Sequence, residues 1–292
     1  MNNIRILVAT HKKFQMPDNE LYLAIHVGKK GKESLGYIGD DTGENISYKN
    51  SNYCELTALY WYLKNCINDS IDYIGLNHYR RYFIFDNGYY ENNSIIKMNF
   101  ESWKKINQNN DEFLYEITEN TDVILPKKRV YPISIKSQYS TMHIKYHLEE
   151  VVRIIKEYYP EYLNDTNAYL NQNKSYLYNM FIMKKDYFIE MMEWIFDVLF
   201  KLEERIDIPE DKQQARVFGF LSERLINIYV LKKKLKIKEL PVAFINDEYR
   251  INKDNYKMSM FINNNIFILG RKLWDYLLYD KEIKIIKSRS KK

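Results

Sequence analysis

Short apolar runs alternate along this chain with longer segments whose apolar residues recur every three or four positions. Residues 4–9 are apolar apart from Arg5 and end in Thr10-His11-Lys12, the pattern of a strand buried on both faces of a parallel sheet. Residues 21–27 form a second such run, closed by Gly28. The stretch from Gly36 to Asn45 is dense in turn formers, which predicts a polar loop without regular structure. Leu56, Leu59 or Tyr60, and Leu63 give one face of a helix over about 53–65, with Asn52 and Glu55 at capping-box spacing. Further strands are predicted at 73–76, 122–125 and 179–183, and further helices at 143–159, 187–204 and 213–230. Residues 86–111, rich in Asn and Tyr, read as a surface excursion. Strands alternating with helices predict an α/β fold, a mostly parallel central sheet with helices on both faces. One domain over residues 1–280 with a basic tail at 281–292 accounts for the pattern.

Two places carry concentrated chemistry. The strand at 73–76 runs into Asn77-His78-Tyr79-Arg80-Arg81. Ligands of open α/β sheets bind at the carboxyl ends of strands, and guanidinium forks match phosphate oxygens in a fixed planar geometry. This segment therefore reads either as an anion site or as a pair of surface ion-pairing arginines. The helix at 213–230 is apolar over most of its circumference, but Arg216, Glu223 and Asn227 fall on one narrow arc with Phe220 beside them. The arc either faces a cleft, where Glu223 is suited to proton removal, or holds an internal Arg216–Glu223 ion pair. Gly219 lies next to the stripe, where a missing side chain lets a ligand approach the backbone.

Charge narrows the classes. The 44 basic residues nearly balance 39 acidic ones, leaving a net charge of +5, so global electrostatics give little support to a nucleic-acid partner. The tail 281–292 is basic enough to hold the chain loosely at an anionic membrane surface, or else is a frayed terminus. No apolar run reaches the ~18 residues needed to cross a bilayer, and the amino terminus lacks a signal pattern. The expectation is a cytoplasmic protein, located at the inner face of the membrane if the tail binds there. Cys54 and Cys66 follow no metal-ligand spacing and read as reduced packing residues. His143 and His147 are four apart, yet residue 144 is Ile, so the metalloprotease pattern is absent.

Taken in order, Ala-Thr-His-Lys (9–12), Gly-Tyr-Ile-Gly-Asp-Asp-Thr-Gly-Glu-Asn-Ile-Ser (36–47), Lys-Asn (49–50), Tyr-Cys-Glu-Leu-Thr-Ala-Leu-Tyr-Trp (53–61), Gly-Leu-Asn-His-Tyr-Arg-Arg-Tyr-Phe (75–83), Asn-Met-Phe-Ile-Met (179–183) and Arg-Val-Phe-Gly-Phe-Leu-Ser-Glu-Arg-Leu (216–225) are distinctive. The set resembles a bacterial family of capsular and exopolysaccharide gene clusters, long labelled a domain of unknown function. That family is grouped with GT-A-type glycosyltransferases, a single Rossmann-like domain, and includes members thought to transfer galactofuranose from UDP. The resemblance implies that Thr10, His11 and Lys12 meet the nucleotide, and that Asp40, Asp41, Asn45, Lys49 and Asn50 border the donor. It places His78, Arg80 and Arg81 where many GT-A enzymes carry an Asp-x-Asp metal motif. Asn179 and His143 would lie on the acceptor side, and Glu223 where a catalytic carboxylate is found.

The chain departs from the metal-binding pattern, since the motif position reads Asn77-His78-Tyr79. The expectation is therefore an enzyme needing no metal or other cofactor, whose guanidinium groups neutralise the leaving UDP. One arginine about 4 Å from a phosphate oxygen contributes roughly 4 kcal/mol at an effective dielectric of 20. Glu223 would deprotonate a hydroxyl of a glycan or lipid-linked glycan acceptor in an inverting displacement, with Arg80, Arg81, Arg216 and Arg224 around the UDP. A non-catalytic assembly protein of the same machinery is the alternative.

Overall fold

The computed structural model describes residues 2–85, 94–107 and 111–246. The chain opens with β1 (Ile4–Thr10), β2 (Tyr22–His26) and a two-residue β3 (Ile38–Gly39), followed by α1 (Asn50–Tyr53) and α2 (Leu56–Asn65). Next come β4 (Tyr73–His78), β5 (Arg81–Phe83), β6 (Ile95–Met98), α3 (Phe100–Asn107) and α4 (Asp111–Glu119). β7 (Val123–Pro126), β8 (Arg129–Val130), α5 (Ile135–Met142), α6 (Lys145–Tyr158), α7 (Leu163–Asn171) and β9 (Lys174–Ser175) follow. The described chain closes with β10 (Phe181–Lys184), α8 (Lys185–Glu203), α9 (Val217–Lys233), β11 (Ile237–Leu240) and β12 (Val242–Ile245).

The main sheet runs β11-β7-β10-β4-β1-β2-β3. Its neighbouring pairs are parallel except for the two made by β10, which is antiparallel to both β4 and β7. A hairpin pairs His78 with Arg81 and joins β5, β12 and β6 to the sheet. Alternation assigns the two faces. On β1, Leu7 and Ala9 join the larger core with α2, α6, α8 and α9, whereas Ile4, Ile6 and Val8 pack on the other side with α3 and α4. Helices thus cover both faces, as the sequence pattern predicts.

Four local predictions differ from what is observed. The helix over 53–65 is broken, because Cys54 adopts φ 53° between α1 and α2. The Asn52–Glu55 capping box does not form. Asn52 donates to the carbonyl of Ala215, and Glu55 makes no capping bond. Residues 95–107 are not a surface excursion but β6 and α3, with Phe100 and Trp103 in the core and the Trp103 indole donating to the Phe83 carbonyl at 3.0 Å. The 36–45 loop contains the short strand β3, which its glycines disguised. The basic tail 281–292 lies outside the described residues.

Two glycines are needed for close approach. A Cβ at Gly75 of β4 would stand 2.9 Å from the Phe181 carbonyl oxygen, so the antiparallel insertion of β10 requires its absence. A Cβ at Gly219 of α9 would stand 3.1 Å from the Cys54 sulfur, so the glycine lets α9 approach the α1–α2 break closely.

Candidate active site

The carboxyl ends of β1 and β4 lie side by side, with Ala9 opposite His78. Because β10 runs the other way, the residues that lead into it, Tyr178 and Asn179, arrive at the same end of the sheet. The α1–α2 break and the first turns of α9 close over this point. A pocket of about 210 Å³ opens between them, lined by Glu55, His78, Arg81, Asn179, Arg216 and Glu223. Cys54, Tyr178, Gly219 and Phe220 complete its wall.

Backbone strain concentrates in that wall. Four non-glycine residues among those described have positive φ, and three of them, Cys54 (53°), Tyr178 (76°) and Asn179 (54°), line the pocket. Such conformations cost of order 1–3 kcal/mol each and persist where the surrounding structure fixes them, commonly at functional sites. The fixing contacts here are side-chain bonds. Asn179 accepts from the Ser222 hydroxyl at 3.0 Å and donates to the Gly219 carbonyl at 3.0 Å and to Glu55 at 2.7 Å. Asn50 donates to the Cys54 carbonyl at 2.7 Å.

The charges in the pocket do not neutralise one another. Arg81 and Arg216 form no ion pair with a carboxylate among the described residues, and the Arg81 Nε is buried without a hydrogen-bond partner. Arg81 lies over the ring of Tyr178 at 5.0 Å, and Arg216 lies over Phe220 at 5.6 Å with its Nε donating to the Cys54 sulfur at 3.3 Å. Glu223 is 18% exposed and accepts from the Tyr178 amide at 2.6 Å and from Arg224 at 2.7 Å. Burial pushes its carboxyl above the ordinary range, against the pull of Arg224 and the Tyr178 amide. The imidazole of His78 donates from Nε2 to the Tyr178 carbonyl at 2.5 Å. Burial keeps the ring neutral, so Nδ1 remains an acceptor. Burial also raises the Cys54 thiol to about 11, leaving it protonated and unsuited to attack.

Pairing across the hairpin separates the two arginines read from the sequence. Arg81 is the register partner of His78, so both side chains leave the same face and enter the pocket. Arg80 points outward and rests on Tyr79 at 5.3 Å and Phe14 at 6.0 Å. It is still close enough to His11 to act on it. Partial burial, then Lys12, Lys32, Arg216 and Arg80, hold the His11 imidazole below its usual value, which marks a positive wall beside the end of β1. Thr10 is buried, and its hydroxyl donates to the Lys12 carbonyl at 2.5 Å.

The remaining candidates lie off the pocket. The Asp40 carboxylate accepts from the Gly28 amide at 2.7 Å, the Lys29 amide at 3.1 Å and the Ser47 hydroxyl at 2.5 Å. Asp41 pairs with Lys29 at 3.2 Å, and Asn45 bonds within its own turn to Gly43 and Ser47. Lys49 pairs with Glu203 at 2.6 Å, and Asn50 bonds to Cys54 and Thr57. Arg224 is buried and engages Glu223, the Phe220 carbonyl and Gln138, so it stands behind the pocket rather than in it. His143 stacks on Phe220 with ring centroids 4.0 Å apart, and burial followed by Arg224 lowers it to about 4. Arg216 and Glu223 form no ion pair with each other, although both line the cavity.

Sequence reasoning missed Glu55, Cys54 and Tyr178. Glu55 was absorbed into a supposed helix cap and Cys54 into the core, while positive φ at Tyr178 leaves no trace in residue type. Their inclusion or neighbourhood in the 53–61 and 179–183 motifs was the signal that existed.

The position where GT-A enzymes carry a carboxylate pair is held here by Asn77 and His78, and His78 spends Nε2 on the Tyr178 carbonyl. Among the described residues, no three His, Cys, Asp or Glu side chains converge to hold a metal. No helix among them is long and apolar enough to cross a membrane.

A comparison with curated protein sequences gives no match. Among solved structures the chain is similar to the apo structure of the bifunctional glycosyltransferase WbbM, with 32% identity and a TM-score of 0.77 over 84% of this chain. That similarity covers 46% of WbbM, so this chain spans about half the length of its structural relative. The mixed α/β fold is thus one that a glycosyltransferase uses. Residues 5–234 match the model described as "Domain of unknown function (DUF4422)", and the chain belongs to that family.

Proposed function

We propose that this protein is a glycosyltransferase that moves a sugar from a UDP-sugar to a glycan or lipid-linked glycan. The observation that carries the reading is a single pocket holding two arginines without carboxylate partners and a largely buried glutamate, at the carboxyl ends of β1 and β4. The similarity to WbbM supports the reaction class.

In this reading Arg81 and Arg216 receive the diphosphate, with His11 and Lys12 at the rim. Glu223 takes the proton of the acceptor hydroxyl as that oxygen bonds to the anomeric carbon. The bond from that carbon to the phosphate oxygen breaks, and its electron pair leaves on UDP. The product anomer is inverted. Charge on the departing UDP grows along the reaction, so the guanidinium groups stabilise the transition state more than the bound donor. Raised above the ordinary carboxylate range, Glu223 is a stronger base than an exposed glutamate while Arg224 and the Tyr178 amide hold it in place. Galactofuranose is the sugar the motifs suggest, and the reading includes no metal. The site of action is the cytoplasmic face of the membrane, where the basic tail and a lipid-linked acceptor would meet.

Thermal unfolding with UDP and a panel of UDP-sugars, with manganese or with chelator, tests this directly. A ligand at 100 times its dissociation constant stabilises by about 2.7 kcal/mol. UDP-dependent stabilisation that survives chelator supports the reading, and no response to any uridine nucleotide refutes it.

A further inference from the structure

Glu55 is a carboxylate that the reaction above does not use. It follows Cys54 (φ 53°) as the N-cap residue of α2, and its side chain makes no bond to the helix amides. One oxygen, Oε1, accepts from the Asn179 side chain at 2.7 Å. The Asn179 amide is in turn fixed by Ser222 and the Gly219 carbonyl, on a backbone held at φ 54°. A strained residue on each side of the pocket and a three-membered bond chain therefore serve to orient one carboxylate. Its other oxygen, Oε2, makes no hydrogen bond to the protein among the described residues, and Glu55 pairs with neither Arg81 nor Arg216.

A fixed carboxylate oxygen facing a pocket is an acceptor-only group, and it matches a hydroxyl donor. Its place in the pocket selects which hydroxyl. Glu55 follows Cys54, whose sulfur accepts from Arg216, so it stands on the side of the proposed diphosphate clamp. Glu223 is held instead by Tyr178 and Arg224. A sugar joined to a diphosphate lies within a few bonds of that clamp. We infer that Glu55 recognises the transferred sugar, accepting a hydrogen bond from one of its hydroxyls and setting donor specificity. This rests on the nucleotide-sugar reading of the pocket.

The experiment is calorimetric titration of UDP, UDP-glucose, UDP-galactose and UDP-galactofuranose into the wild type and the Glu55→Gln and Glu55→Ala variants. Gln keeps an oxygen for Asn179 and replaces the free acceptor by an NH2 group. The expected result is that the wild type binds one sugar nucleotide more tightly than UDP. Both variants then lose that preference by about 10- to 100-fold while holding UDP within threefold. Variants that keep the preference, or that lose UDP and UDP-sugar affinity in parallel, overturn the assignment and leave the function standing. A wild type that binds UDP but no tested sugar more tightly overturns it as well. A wild type that binds no UDP sinks the nucleotide-sugar reading, and the role of Glu55 with it.

Discussion

The loop around Asp40 and the pocket around Glu223 are both rich in charged side chains, yet they are organised in opposite ways. In the loop, most polar groups are consumed internally. Asp40 accepts three hydrogen bonds, Lys29 pairs with Asp41, Lys49 with Glu203 and Asn45 with its own turn, and one Asp41 oxygen is left buried without a partner. In the pocket, two guanidinium groups and two carboxylates line one cavity without pairing across it, and the backbone is strained around them. Buried polar groups are normally satisfied, so self-satisfied charges hold a fold together while incompletely satisfied ones await a ligand.

Substitutions on the two sides sharpen this contrast. The largest effect is expected from Glu223→Gln, which should lower transfer by about 10²- to 10⁴-fold while UDP affinity, measured by calorimetry, changes little. Unchanged turnover would return Glu223 to a structural role beside Arg224. Asp40→Ala should do the reverse. It strands the Gly28 and Lys29 amides and the Ser47 hydroxyl, costing about 3 kcal/mol in denaturant unfolding, whereas Asp41→Ala costs under about 1 kcal/mol. Equal losses from the two would erase the distinction drawn for the loop.

The paired arginines come next. Arg81→Ala should weaken UDP binding by about 10- to 100-fold, because a charge-assisted contact to phosphate is lost from inside the cavity. Arg80→Ala, outside it, should change UDP binding by less than about threefold. The reverse order would mean that the donor binds on the outer face of the hairpin.

A pH dependence follows from the histidine beside the pocket. His143 is lowered to about 4 in the folded protein against 6.5 when exposed. The unfolded chain therefore binds the extra proton between these values, and stability falls as pH drops from 6.5 toward 4. His143→Phe, which keeps the stack on Phe220, should flatten that slope in thermal melts. Arg224, Gln214 and His147 are the polar groups that act on His143, and His11, His26, His78 and His147, each lowered by burial, supply the slope that remains.

Much of the frame was legible in the linear pattern because it follows from local periodicity. Mostly apolar runs at 4–9 and 73–76 give strands buried on both faces, and of the arc Arg216, Glu223 and Asn227 the first two, with Phe220 beside them, meet a cavity, while Asn227 is spent on the Tyr176 backbone. Periodicity failed where long-range contacts overrode it. Phe100 and Trp103 are core residues because α3 packs them with Tyr82 of β5, Ile96 of β6 and Ala243 of β12, the last of which lies far away in sequence. Glu55 looked like a helix cap because nothing local indicates that Asn179 waits 124 residues further on.

What the sequence by itself determined is the strands β1, β2, β4, β7 and β10, the helices α2, α6, α8 and α9, the polar stripe on α9 and the basic end of β4, since each rests on neighbours a few positions apart. Only the tertiary structure decided which arginine enters the pocket, that Asp40 is spent on the Gly28 and Lys29 amides and the Ser47 hydroxyl, and that Glu55 is bound by Asn179. Those outcomes depend on hairpin register, on the antiparallel entry of β10 and on the positive φ of Cys54, Tyr178 and Asn179, which rest on pairings between separate elements and not on residue type.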